Sequence, residues 1–232
     1  MLSPTDCRVF KKMFASRRLK PCLSDLIASA IGEPVEYALV SCSPLPFNRF
    51  EGFTERCMIN CFTDAGYQAV LEMLTPTKTG PELTGEEMLL LASCYTADLF
   101  TFKLLSGKAL KQLSKSYIIA FCSLIVFPER ENFVNKMVFT HYDAEEDEKK
   151  FFTIIAELSR LDKLLAKPVG EMTSFEKWAL FLQYAAQPEH SQLIEQIAQT
   201  KPVISQARQF LIELSQDERE SDFQPSPPPI SN

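Results

Sequence analysis

The run ERCMINCFTDAGYQAVLEML, residues 55–74, decides the fold. Its halves ERCMINCFT and YQAVLEML each read as a β-strand, and Asp64-Ala65-Gly66 between them supplies the chemistry of a tight turn. A hairpin is therefore expected. Side chains alternate across a strand, so Glu72 shares a face with Val70 and Leu74. A lone carboxylate in an apolar strand is either partly solvated at an edge or a remnant of a site that uses negative charge.

Working outward, Ser3-Pro4-Thr5-Asp6 reads as a capping box opening a helix that carries Val9, Phe10, Met13 and Phe14 on one face. A second helix is expected from Pro21 to about Ile31, stopping at Gly32. PVEYALVSCSP, 34–44, reads as a strand. Thr84 to Glu87 forms a further capping box ahead of a long helix over about 85–106, which ends at Gly107. YIIAFCSLIVF, 117–127, reads as a buried strand. Strands are also expected around VNKMVFTHY and in FFTIIAEL, 151–158, with the charged DAEEDEKK run between them as a hairpin loop. From Thr173 onward the pattern is helical, with a third box from Thr173 to Glu176. The closing DERESDFQPSPPPISN is expected to be disordered.

Strands in one block flanked by helices predict an α/β (α+β) protein, three layers around a central mixed sheet. The expected division is a core over 1–165, a helical C-terminal extension over 166–216 and a tail over 217–232.

Composition narrows the function classes. The chain has 232 residues, 46% of them hydrophobic, with 18 Phe, enough for a sizeable core. A net charge of −6 gives no global reason for tight nonspecific nucleic-acid binding, though it leaves room for a local basic groove. Seven cysteines without a disulfide-like spacing predict reduced thiols in a cytoplasmic setting. Cys57 and Cys61 share a strand face, but no second Cys or His pair follows to complete a zinc site, so they read as core. His141 and His190 lie far apart in polar segments and read as surface residues. No apolar run reaches the roughly 20 residues that cross a bilayer, so no membrane association is expected.

Several segments, in order, resemble the PD-(D/E)XK nuclease-family transposases, also called recombination-promoting nucleases. These are LSPTDCRVFKKMF at 2–14, LIASAIGEPVE, FTDAGYQAVLEM, SGKALKQLSKSYIIAFCSLIVFPE and SFEKWALFLQYA with Trp178. The likeness runs over about residues 2–185. It implies a restriction-endonuclease-like core and metal-dependent DNA cleavage, in which Mg²⁺ held by carboxylates activates water at the scissile phosphate. In that pattern an Asp sits on the first hairpin strand, and a Glu followed two residues on by Lys or Gln sits on the second.

Carried over by position, Glu72 occupies the place of the Glu and becomes the candidate catalytic and metal-binding residue. The Lys or Gln place is Leu74. The strand Asp falls on Asn60 or Ile59, and a family Asp near the FKK segment falls on Cys7, with Asp6 beside it. Asp64, Glu55, Glu51 and Lys78 are the possible substitutes, Asp64 having a turn role of its own. Two replacements in one small site imply degeneration, with cleavage weak or absent. The alternative is a catalytically dead fold kept as a regulatory module that binds DNA or a protein. The helix face of Trp178, Phe181 and Tyr184 then serves either docking or core packing.

Overall fold

The computed structural model describes residues 1–40, 54–76, 87, 115–139 and 151–222. Six strands form one mixed sheet: β1 (Ala38–Val40), β2 (Thr54–Thr63), β3 (Gln68–Pro76), β4 (Ser116–Cys122), β5 (Val134–Phe139) and β6 (Phe151–Glu157). They lie in the order β1-β2-β3-β4-β6-β5. β1, β2 and β3 run antiparallel, β3 pairs parallel with β4 and β4 with β6, and β5 closes the sheet antiparallel to β6. The chain is thus an α/β protein with a six-strand mixed sheet and C-terminal helices.

The expected hairpin is present. Gly66 adopts φ +76°, a left-handed conformation that costs a glycine nothing, and its N–H donates to the Thr63 carbonyl at 2.9 Å. Asp64 fixes what comes before the hairpin as well. Its carboxylate accepts from the backbone N–H groups of Glu36 and Tyr37 at 3.1 and 3.3 Å, which holds the approach to β1 against the turn.

Two helices precede the sheet, α1 (Cys7–Phe14) and α2 (Lys20–Ile31). Here the expected capping box at Ser3 is corrected. The N-cap is Asp6, whose carboxylate accepts from the N–H groups of Arg8 and Val9 at 2.8 and 3.1 Å. Ser3 instead bonds to Thr5 across two residues. Aspartate wins because its charge faces the positive end of the helix, which a serine hydroxyl meets less strongly. α2 ends as read, at Gly32 with φ +80°.

The remaining helices are α3 (Asp162–Leu165), α4 (Ser174–Tyr184), α5 (Ser191–Thr200) and α6 (Pro202–Asp222). The Thr173–Glu176 capping box forms in both directions. α6 continues through Asp222, past the point where the charged composition predicts an end to order. Glu, Asp and Arg at these positions are compatible with helix, and the helix is already under way. The long helix expected over 85–106, of which only Glu87 is described, lies outside the described residues. So do residues 41–44 of the first strand, the charged run 143–150 and the tail from 223.

β4 stops at Cys122, five residues short of the expected 127, and residues 123–127 leave the strand conformation. Val126 and Phe127 are nonetheless buried, so their apolar character reflects packing of a turn and not of a strand. No helix among the described residues is long and apolar enough to cross a membrane.

The core lies between α1, α2, the C-terminal helices and one face of the sheet. Phe10, Phe14, Leu71, Phe121, Trp178, Phe181 and Leu211 are all fully buried in it, so both ends of the chain contribute to one cluster. Trp178, Phe181 and Tyr184 belong here, which settles that helix face as core packing. Trp178 Nε1 donates to Asp25 at 2.6 Å, and Lys201 pairs with the same carboxylate at 2.8 Å. The Cys22 thiol donates to the Val203 carbonyl at 3.1 Å, a second tie between α2 and α6.

If the C-terminal helices share the core, truncating one of their side chains must weaken the whole. Leu211→Ala should cost about 2–5 kcal/mol and move a single urea transition, followed by tryptophan fluorescence and far-UV circular dichroism. Two separated transitions, with only one displaced, would mean that α6 unfolds independently.

Candidate functional site

The sheet has two different faces. Ala69, Leu71 and Met73 of β3 point into the helix-covered core with Cys57, Ile59 and Cys61 of β2. The opposite face carries Gln68, Val70, Glu72 and Leu74, and register extends it to Asn60 on β2, Ser116 and Cys122 on β4, Thr153 and Glu157 on β6, and Asn135 on β5. Most of the buried polar side chains lie on this second face.

Glu72 is therefore no edge residue. It is 3% exposed, opposite Met58 on β2 and beside Ala120 on β4. The hairpin register decides between the two candidates for the strand acid: Ile59 is in the apolar core, whereas Asn60 shares the face of Glu72 as its diagonal cross-strand neighbour. Asn60 is already engaged, its Oδ1 accepting from Gln68 Nε2 at 3.1 Å. Leu74 is buried in a small apolar cluster with Ala120, Cys122, Val126, Phe127 and Ile155.

The other candidates are dispersed. Asp6 caps α1, and Cys7 packs against the end of β3 with its thiol 3.6 Å from the Met73 carbonyl. Asp64 is spent on the approach to β1. Glu55 falls in β2 opposite Thr75, and its side chain, like Glu51 and Lys78, lies outside the described residues. Burial pushes the thiols of Cys57 and Cys61 up to about 12, with small charge effects at Cys57, so both are protonated core groups at neutral pH. His190 packs on the Tyr184 ring at 4.3 Å.

Two acids that the sequence reading did not single out proved prominent. Glu157 ends β6 with no exposure. One oxygen accepts from the N–H groups of Val126 and Phe127, the latter at 2.7 Å. The other lies 2.8 Å from Arg160 Nε, a Coulombic contact without hydrogen-bond alignment. Arg160 also donates to the Phe127 carbonyl at 2.9 Å. This carboxylate thus folds the 123–127 turn back against the sheet. Burial holds the nearby Cys122 thiol well above its ordinary range, and the charges of Glu72 and Glu157 add to the effect. The signal was available: FFTIIAEL, like YQAVLEML, holds one acid among apolar residues, with an Arg three positions on.

Glu33, just past the end of α2, binds three donors. Lys115 Nζ and Tyr117 Oη reach one oxygen at 2.6 and 3.1 Å, and Tyr67 Oη reaches the other at 2.8 Å. Lys115 also sits 5.7 Å from the centre of the Tyr67 ring. The cluster fastens the end of α2 to the starts of β3 and β4. No spacing rule joins 33, 67, 115 and 117, so only the topology reveals it.

Compared with protein-family models, with curated proteins and with solved structures, the chain matches none.

Burial alone would raise the Glu33 carboxyl, but the hydrogen bonds from Lys115, Tyr67 and Tyr117 together hold it below the usual carboxylate range. A depressed folded value stabilises the fold above the unfolded value of about 4.3, and that contribution is lost as pH falls through the folded one. Thermal melts from pH 6 to about pH 3 should therefore show a smaller acid loss for Glu33→Gln than for the unsubstituted protein. Parallel curves would mean the cluster adds no pH-dependent stability.

Proposed function

We propose that the chain has a restriction-endonuclease-like core similar to that of the PD-(D/E)XK nuclease-family transposases, with metal-dependent DNA cleavage weak or absent. The observation that carries this reading is the grouping of Asn60, Glu72 and Leu74 on one face of the β2–β3 hairpin. The order of elements also supports it: a helix, a three-strand antiparallel set, and a fourth strand parallel to the hairpin's second strand.

A Mg²⁺-type ion prefers hard oxygen ligands, carboxylates above all. Glu72 is such a ligand. Asn60 offers a neutral amide oxygen that already accepts from Gln68, and Leu74 has no polar atom to orient a nucleophile. These residues do not fit an ion held for catalysis.

The same observation favours a second reading, a dead nuclease fold serving as a DNA- or protein-binding regulatory module. The side chains at these positions serve the fold: Asn60 ties β2 to β3 through Gln68, and Leu74 packs the hairpin against β4, β6 and the 123–127 segment.

Supercoiled plasmid incubated with purified protein and Mg²⁺, Mn²⁺ or Ca²⁺, beside Glu72→Gln, should show little or no nicking by either. Metal-dependent nicking abolished in Glu72→Gln would overturn the degeneration argument. Asn60→Asp keeps an acceptor for Gln68 and restores a carboxylate diagonal to Glu72, within side-chain reach across the pair. This variant should gain a Mn²⁺-dependent rise in Tm absent from the unsubstituted protein. At a hundredfold excess over Kd, native-state binding adds about 2.7 kcal/mol, which is several degrees for a chain of this size.

A further inference from the structure

The cations of this acidic chain are distributed unevenly. Residues 8–20, RVFKKMFASRRLK, hold Arg8, Lys11, Lys12, Arg17, Arg18 and Lys20 and no acid. All six are exposed. Among the described residues elsewhere, several cations are drawn into ion pairs: Lys115 with Glu33, Arg160 with Glu157, Lys167 with Glu176, Lys201 with Asp25 and Arg208 with Glu195. Along 8–20, Arg18 pairs with Glu213 at 2.7 Å while its guanidinium lies over Phe210. Arg8 stands 3.8 Å from the capping Asp6 and is 90% exposed. Lys11, Arg17 and Lys20 make no ion pair among the described residues.

Helix electrostatics does not account for the cluster. Lys11 and Lys12 sit in the last turn of α1, where cations complement the dipole. Arg8 in the first turn of α1 and Lys20 at the first residue of α2 face the positive ends, where cations are disfavoured. Arg17 and Arg18 occupy the 3₁₀ turn between the helices, held outward by Ser16, whose hydroxyl caps the Arg18 N–H at 3.2 Å.

The charge placement points to residues 8–20 as a docking surface for a nucleic-acid phosphate backbone. Every large apolar side chain of the segment faces inward: Val9, Phe10, Met13, Phe14 and Leu19 are all 3% exposed or less. A protein interface would need an apolar anchor at its centre, and a membrane-bound helix an apolar face to insert. This surface offers charge alone. Arg8, Lys11 and Lys12 lie three and four residues apart on one side of an eight-residue helix about 12 Å long, and Arg17, Arg18 and Lys20 follow it directly in the chain. Duplex DNA presents a charge every 1.7 Å or so along its axis, so such a row meets several phosphates and reads no bases.

The surface lies on the side of the sheet that α1 covers, opposite Glu72. It does not depend on the reading of Glu72. Absence of cleavage leaves it untouched, and absence of duplex binding leaves the argument on Asn60 and Leu74 untouched.

The test is anisotropy of a fluorescein-labelled duplex of about 20 base pairs, titrated with the full chain between 50 and 200 mM KCl. Binding should be micromolar and weaken with salt, with a log–log slope of about −3 to −4 for four phosphates met. Lys11→Glu/Arg17→Glu/Lys20→Glu should lower affinity at least about tenfold and flatten the slope by about 3. The matched control Lys136→Glu/Lys163→Glu/Lys177→Glu and the single variant Glu72→Gln should bind as the unsubstituted protein does. Circular dichroism melts check folding, and Arg17→Ala/Lys20→Ala, which removes charge without reversing it, should show a smaller loss in the same direction. The assignment is overturned by no duplex binding at 50 mM KCl, by equal loss in both triple variants, or by loss in Glu72→Gln. Capture by phosphatidylserine vesicles without duplex binding overturns it as well.

Discussion

Both faces of β3 are buried, and much of the structure follows from that constraint. A strand covered on one side can turn its polar residues to water. β3 lies between β2 and β4 with Ala69, Leu71 and Met73 in one cluster and Leu74 in another, so each polar side chain along it has to find a partner in protein. Gln68 finds Asn60. The partition is systematic: the helix-covered face is almost wholly apolar, and the opposite face collects Asn60, Gln68, Glu72, Ser116, Asn135, Thr153 and Glu157. A one-residue slip of β3 would turn Gln68 and Glu72 toward the helix-covered core and Leu71 and Met73 away from it, so register is strongly specified.

The fold treats its acids as fasteners. Glu157 holds a turn through two backbone amides and Arg160, Glu33 joins a helix end to two strands, and Asp25 on α2 binds Trp178 of α4 and Lys201 at the end of α5. Each carboxylate gathers donors from elements distant in sequence. Removing one partner from a buried ion pair such as Glu157–Arg160 would leave an uncompensated charge, costing about 3–5 kcal/mol. These three carboxylates are bound up in the architecture, whereas Lys11, Arg17 and Lys20 make no ion pair among the described residues.

The elements legible in the sequence were those governed by local rules. The hairpin followed from alternation and a Gly-containing turn, the end of α2 from Gly32, and the start of α4 from the Thr173–Glu176 box. Local rules failed where two of them competed or where the partner was remote. Ser3 and Asp6 both resemble caps, and charge decided between them. YIIAFCSLIVF is apolar but for Tyr117 and Ser123, and its run of Leu, Ile, Val and Phe after Ser123 still reads as strand; the bonds from Val126 and Phe127 to Glu157, about thirty positions on, are what hold that run as a turn. For the candidate site, alternation correctly put Glu72 with Leu74 but could not choose between Asn60 and Ile59, because that choice depends on the number of residues in the turn.

The backbone N–H of Leu2 donates to the Ser215 hydroxyl at 2.9 Å, a bond spanning 213 residues of chain. With the Cys22–Val203 and Trp178–Asp25 contacts, it means that α1 and α2 find much of their packing in residues made far later in the chain. On a ribosome the hairpin can pair as soon as it clears the exit tunnel, since its contacts are local. The first two helices emerge earlier, yet their apolar faces must wait for α4 and α6 before they are covered. Vectorial synthesis thus runs opposite to the order in which this core can close, and the nascent chain carries Phe10, Phe14 and Leu23 uncovered until α4 and α6 have emerged.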